Sequence, residues 1–245
     1  MTDRVVVVTG GTRGIGLALA EGYVCAGAKV VVASRKADAC RAAEQHLRDL
    51  GGEALGVPTH MADLDDLATL VAATVERFGG LDVLVNNAAN GLTQPIGSFT
   101  PDAWAKSFDV NLRGPVFLLQ EALPLLEASA HAAVLNVISA GAFLFSNHVA
   151  MYAAAKAALM SFTRSQAAEL APRGVRVNAL APGSTDTDMV RNNPPAFVDV
   201  MARASQLGRL ADPDEMVGPA LLLTSDAGSF ITGQVLLVDG GMVPH

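Results

Sequence analysis

Tyr152 and Lys156 stand four residues apart in Met151-Tyr152-Ala153-Ala154-Ala155-Lys156-Ala157-Ala158-Leu159. Four residues is about one helical turn, so in a helix both side chains leave from the same face. A phenol in that position can exchange a proton with a substrate, while the ammonium holds down its pKa. A free tyrosine ionises near ~10, and each unit of depression takes about 1.4 kcal/mol of differential stabilisation. The spacing alone also fits a half-buried ring beside a solvated charge. The chemistry therefore depends on what else the chain supplies.

A second chemical feature lies near the start, in Val8-Thr9-Gly10-Gly11-Thr12-Arg13-Gly14-Ile15-Gly16. It follows a β-branched run and opens an amphipathic segment. Glycines let a backbone turn tightly and approach a pyrophosphate, which the helix N-terminus then stabilises. The spacing is G-x-x-x-G-x-G rather than the G-x-G-x-x-G of the common dinucleotide fingerprint. A third feature follows the next apolar run, which ends Val32-Ala33-Ser34-Arg35. Sites that prefer NAD place an acid there for the ribose 2′-hydroxyl, whereas an arginine accommodates a 2′-phosphate. Ser34 can donate a hydrogen bond and Arg35 can pair bidentately with phosphate, so NADP (NADPH) is the expected cofactor.

These features need elements to position them. Val5–Thr9, Lys29–Ala33, Ala54–Val57, Leu81–Asn86, Ala132–Ile138, Val175–Leu180 and Gln234–Val238 read as strands. Gly14–Gly27, Lys36–Leu50, Leu64–Phe78, Pro101–Ala128, Val149–Pro172 and Pro213–Ser225 read as helices between them. Such alternation specifies an α/β domain, a parallel sheet of seven strands with helices on both faces. The strands are nearly all apolar, as strands buried on both sides are. Within Pro101–Ala128, Asn111 suits a helix interior poorly and Pro115 breaks the hydrogen-bond ladder, so a local kink is expected. The least regular segment, Gly183–Gly208, contains Asn192-Asn193-Pro194-Pro195 and follows a strand's C-terminal end, where open α/β sheets bind ligands. Its residues 184–208 are expected to form a substrate-binding lid of two short helical pieces with a hinge between them.

Composition sets limits. The 245 residues suit one domain, 51% hydrophobic and 17% charged. A net charge of −7 argues against nucleic acid or an anionic membrane as partner. No uninterrupted apolar run reaches membrane-spanning length. The apolar run Val5-Val6-Val7-Val8 begins almost at once, so no leader is expected. Cys25 and Cys40 show no C-x-x-C spacing and read as reduced thiols of a cytoplasmic protein. The five histidines are scattered, so no metal site is expected.

Taken together, the motifs resemble the short-chain dehydrogenase/reductase family over essentially the whole chain. Thr9–Gly16 is similar to that family's cofactor turn. Asn86-Asn87-Ala88-Ala89 matches its Asn-Asn-Ala-Gly segment except at the last position. Asn111, Ser139, Tyr152 and Lys156 stand where the family carries its catalytic tetrad. Pro182-Gly183 with Thr187 resembles its segment near the nicotinamide, and Ile231–Gln234 with Val238–Gly241 its C-terminal signature.

The resemblance implies a single doubly wound Rossmann-type domain. It implies that Tyr152 is the general acid in carbonyl reduction and the base in reverse, that Lys156 lowers its pKa and bonds the nicotinamide ribose, and that Ser139 donates to the substrate oxygen. Asn111 would help hold a water near Lys156. Cofactor contacts implied are Gly10, Thr12, Arg13, Gly14, Ile15, Gly16, Ser34, Arg35, Asp63, Leu64, Asn87, Tyr152, Lys156, Pro182, Gly183 and Thr187. Arg13 would be a second basic contact and Asp63 the acid that bonds the adenine, although Asp63 equally fits a plain helix N-cap. Ser139, Phe143, His148, Val149, Ser184 and Met189 would face the substrate.

The expected activity is hydride transfer between NADP(H) and a small-molecule ketone or alcohol. A 3-oxoacyl-carrier-protein reductase is the alternative. Arg113 and Arg173 could dock an acidic carrier, but Leu125–His131 is not basic where such reductases usually are. A non-catalytic cofactor-binding sensor is a distant third reading, since such proteins usually lose the Tyr or the Lys. A homotetramer is expected from the resemblance, supported by the apolar excess of Val149–Pro172 and a strand close to the C-terminus.

Overall fold

In the computed structural model, which describes residues 1–92, 94–145 and 149–244, each β-branched run is a strand. These are β1 Val5–Thr9, β2 Lys29–Ser34, β3 Ala54–Pro58, β4 Val83–Asn86, β5 Ala133–Val137, β6 Arg176–Pro182 and β7 Val235–Val238. All pair in parallel, in the order β3-β2-β1-β4-β5-β6-β7. Every residue of β1, β4 and β5 is buried, because helices cover both faces.

The helices are α1 Gly14–Cys25, α2 Ala37–Asp49, α3 Leu64–Phe78, α4 Pro101–Phe108, α5 Gly114–Ala128, α6 Ala150–Leu170, α7 Asp188–Arg191, α8 Pro195–Arg203 and α9 Val217–Thr224. On one face Leu19 and Tyr23 of α1, Leu47 of α2 and Leu223 of α9 pack on β-branched strand residues. On the other, Leu67 and Leu70 of α3 and Leu118 and Leu126 of α5 do the same. The chain builds outward from β1 to β3 and then crosses back to place β4 on the other side of β1. That reversal leaves a crevice outside the carboxyl ends of β1 and β4, the place where such sheets take ligands.

The structure departs from the expected elements in two informative places. The helix expected over Pro101–Ala128 is three pieces: α4, a π turn over Asp109–Arg113, and α5. Gly114 N–H reaches Asp109 O, a five-residue spacing. Pro115 has no N–H to offer the Asn111 carbonyl four residues back. Gly114 is also required sterically, since a Cβ there would lie 2.3 Å from Met61 O. The second departure is β6, which runs past Leu180 to Pro182. Proline is tolerated because it is the terminal strand residue, beside Val238 of β7. After β6, an isolated bridge joins Thr185 to Ala211 and closes the base of an excursion that carries α7 and α8. No helix among the described residues is long and apolar enough to cross a membrane.

Candidate active site

The turn after β1 fits a dinucleotide phosphate on steric grounds. Gly10 and Gly14 have φ of +66° and +53°, which favour glycine. A Cβ on Gly16 would lie 2.2 Å from Gly10 O, and one on Gly10 would lie 2.9 Å from Ala88 Cα. The turn therefore keeps bare backbone against the start of α1, whose first N–H groups lack helical partners. Thr12 and Ile15 are half-buried in it, and Arg13 is exposed. The β4 end braces the turn: Asn87 Nδ2 donates to Thr9 O at 2.9 Å, and the N–H groups of Asn87 and Ala88 each reach Thr9 Oγ1 at 3.0 Å. A cavity of about 290 Å³ beside the turn is lined by Arg13, Gly14, Thr187 and Arg191 among others.

The Tyr–Lys pair sits where α6 meets β5. One stripe of α6 is buried, through Met151, Ala155, Leu159, Thr163, Ala167 and Leu170, and Lys156 falls on it. Lys156 is 1% exposed and donates from Nζ to Val137 O at 2.8 Å. Burial pulls its pKa down to about 8. Nζ stands 5.8 Å from the centre of the Tyr152 ring.

The phenol does not show the depressed pKa that the spacing suggests. Burial raises it above the ordinary value, and the Ser139 hydroxyl beside it only partly opposes that rise. Desolvation dominates because the Lys156 charge is spent on a carbonyl rather than on the phenolate oxygen. Ser139, just beyond β5, accepts the Gly141 N–H on Oγ at 3.0 Å, and its O–H is the group available to the phenol.

Asn111 is fully buried in the π turn, which packs against α6. Its Nδ2 donates to Ser107 O at 3.0 Å and Asn90 O at 3.0 Å, and its Oδ1 accepts Asn90 N–H at 3.3 Å. The side chain is thus committed to protein partners. The Asn111 backbone carbonyl receives no N–H from Pro115, four residues on.

The other expected residues line the same carboxyl edge of the sheet. Ser34 ends β2, with Arg35 exposed beyond it. Pro182 ends β6, and Gly183 is held so close that a Cβ would lie 2.7 Å from Asp239 Cα. Ser184 and Thr187 follow, and Thr187 rests against Gly14. Met189 is 48% exposed on α7, Phe143 is exposed, and Val149 is half-buried just before α6. Asp63 is the N-cap of α3, accepting from the N–H groups of Asp65 and Asp66, and Leu64 is the first residue of that helix. His148 lies outside the described residues.

Three contributors escape the sequence. Asn90 reads as an ordinary post-strand turn residue, yet it holds Asn111. Asn136 in mid-strand β5 accepts from Asn86 Nδ2 at 2.9 Å and donates to Thr163 Oγ1 at 3.0 Å, tying α6 to the sheet. Asp188 reaches Arg13 at 3.3 Å, linking α7 to the glycine turn. Only the asparagines on otherwise apolar strands carried a signal, because a buried amide needs partners.

Comparison with known proteins agrees with this geometry. The family model described as enoyl-(acyl carrier protein) reductase matches residues 10–243. The chain is 39% identical to a cis-4-hydroxycyclohexanecarboxylate dehydrogenase from Sinomonas cyclohexanicum, over 98% of this chain and 96% of the relative. It is 37% identical to a 3-oxoacyl-[acyl-carrier-protein] reductase from Synechocystis sp., over 99% and 98%. Its fold is similar to an actinorhodin polyketide ketoreductase variant solved with NADPH, with a TM-score of 0.95 at 30% identity over the full length of both chains. A match of this length, on a sheet that gathers the Tyr–Lys pair and the glycine turn at one edge, settles the lineage: the chain belongs to the short-chain dehydrogenase/reductase family, oxidoreductases that interconvert alcohols and ketones with a nicotinamide cofactor.

Proposed function

We propose that this protein is an NADP(H)-dependent carbonyl reductase, or alcohol dehydrogenase in reverse, acting on small or medium apolar ketones. The observation that carries the reading is the fully buried Lys156, held to Val137 O beneath the Tyr152 ring, with the Ser139 hydroxyl beside the phenol. A buried ammonium is costly to keep, so its presence in an otherwise uncharged stripe marks a working group. When bound, the nicotinamide supplies the hydride. The chain's own residues supply the proton and the geometry. A raised phenol pKa keeps Tyr152 protonated at neutral pH, which suits a general acid delivering its proton to a carbonyl oxygen. Ser139 donates a hydrogen bond to that oxygen as charge develops there. Lys156, held below the ring by Val137 O, would bond the nicotinamide ribose when the cofactor is bound. The Asn111 carbonyl offers an acceptor through which a water could resupply the proton. Ser34 and Arg35, with no acid between them, favour a 2′-phosphate.

The carrier-protein reductase is the second reading, favoured by the cyanobacterial relative. The cations it would need are engaged elsewhere. Arg113 lies 3.8 Å from Asp109 and stacks over Phe117, and Arg173 pairs with Glu127. Apolar Phe143, Val149 and Met189 suit a free ketone better. We place the protein in the cytoplasm, since Cys25 and Cys40 are free thiols.

A panel of ketones with NADPH, run against carrier-bound and free thioesters, tests the assignment. Tyr152→Phe should lower turnover by ~10² to 10⁴ while leaving NADPH binding nearly intact. A variant that keeps more than about a tenth of wild-type turnover, against that expected loss, would refute the general-acid role.

A further inference from the structure

Asn90 takes no part in the expected chemistry, yet it is bonded to the site on several sides. Asn111 Nδ2 donates to Asn90 O at 3.0 Å and to Asn90 Oδ1 at 3.2 Å, and Asn90 N–H donates back to Asn111 Oδ1 at 3.3 Å. Asn90 Nδ2 donates to Lys106 O at the end of α4 at 2.7 Å. Leu92 N–H donates to Asn90 Oδ1 at 3.4 Å. One amide thus joins the loop after β4 to both α4 and the π turn. The next residue, Gly91, faces the excursion after β6: a Cβ built there would lie 3.4 Å from Met189 Sδ and 3.5 Å from its Cγ. Met189 therefore faces the Gly91 backbone with room for a methyl between them, and the Asn90 anchor sets where that backbone stands.

We infer that Asn90 is a positioning residue that fixes the Gly91 seat under Met189, and that this seat sets the size of ketone admitted to the Tyr152–Ser139 centre. The inference rests on the reading of that centre given above. The physical reason is the lack of alternatives for this loop. It lies outside any strand, so its backbone groups depend on Asn90 and Asn111 for partners. Releasing it lets Gly91 move away from Met189 and widens the crevice. A methyl at residue 91 instead meets Met189 at ordinary contact distance and narrows it, without strain, because Gly91 is not among the glycines with positive φ.

Three variants test this. Asn90→Ala should raise KM for a small ketone about tenfold, the usual cost of losing such hydrogen bonds. NADPH affinity should stay near wild type, and the preference should move toward bulkier ketones. Asn90→Asp keeps the acceptor for Asn111 Nδ2 and Leu92 N–H but sets a carboxylate oxygen against Lys106 O in place of the donor, so it should not recover the loss. Gly91→Ala should move the preference toward smaller ketones. Unchanged KM and ketone preference in both Asn90→Ala and Gly91→Ala, with only the melting temperature lowered, overturns the proposal and leaves Asn90 a structural residue. If the wild type reduces no ketone with either nicotinamide cofactor, the reading of the centre fails by itself. Hydrogen exchange then still decides the anchor: faster exchange confined to residues 90–92 in Asn90→Ala supports it, and unchanged exchange overturns it.

Discussion

Lys156 carries the sharpest conflict between stability and function. An amine ordinarily near 10.5 is pulled down to about 8 by burial. Below pH 8 the fold must hold a charged ammonium away from water. That cost shrinks as pH rises through 8 and vanishes above the unfolded value near 10.5. Lys156→Met should therefore raise stability by about 1–2 kcal/mol at pH 7, after the lost bond to Val137 O is counted. The gain should fade toward pH 10 while activity is lost throughout. Melting curves of both proteins from pH 6 to 10 check it, and a variant less stable at pH 7 contradicts the argument. Cofactor choice belongs to this scale as well. Wild type should prefer NADPH over NADH in kcat/KM, and Ser34→Asp should reverse the preference by repelling the 2′-phosphate. A wild-type preference for NADH refutes the charge argument.

At the scale of elements, the segment after β6 is the one we expect to move. Its ends are fixed by ion pairs: Arg191 grips Asp186 through two bonds of 2.6 and 2.7 Å, and Arg209 grips Glu215 in the same way. Between these ends, α7 and α8 are short and are separated by Asn192–Pro194. No residue of α8 is buried, and Phe197 and Val200 are 49% and 62% exposed. Such a piece has little of its own to hold it in place, and its apolar side chains gain by closing over a ligand. We therefore expect residues 184–208 to exchange amide hydrogens fast in the free protein and slowly with NADP and a substrate analogue. Slow, unchanged exchange in both states would make the segment a rigid part of the fold.

At the scale of the whole molecule, several apolar surfaces remain open to solvent. Phe162 on α6 and Leu222 on α9 are 43% and 40% exposed, and Phe230 is fully exposed. Trp104 stacks on Phe108 with ring centres 4.3 Å apart, yet it is 46% exposed on α4. All of β7 is only half-buried at the sheet edge. The single buried stripe of α6 leaves its other faces uncovered within one chain. A homotetramer would cover these patches by closed symmetry. Light scattering at micromolar concentration should give four times the 25.2 kDa of one chain. A monomer mass would contradict it.

The sequence by itself determined the sheet, because strands buried on both faces must be apolar and β-branched, and the alternation with helices leaves a parallel order as the natural solution. It also determined the glycine turn and the Tyr152–Lys156 face, since both depend on local spacing. The kink at Asn111 was legible from Pro115, which removes a donor wherever the helix packs. Only the tertiary structure decided that the kink is a π turn, that Asn90 rather than solvent satisfies Asn111, and that Asn136 ties α6 to β4. Those partners are separated by 21 to 50 residues, and no local pattern records such a pairing. The direction of the Tyr152 shift was likewise out of reach. It turns on how much water the folded crevice excludes and on which oxygen the Lys156 ammonium meets, and both are set by packing rather than by spacing along the chain.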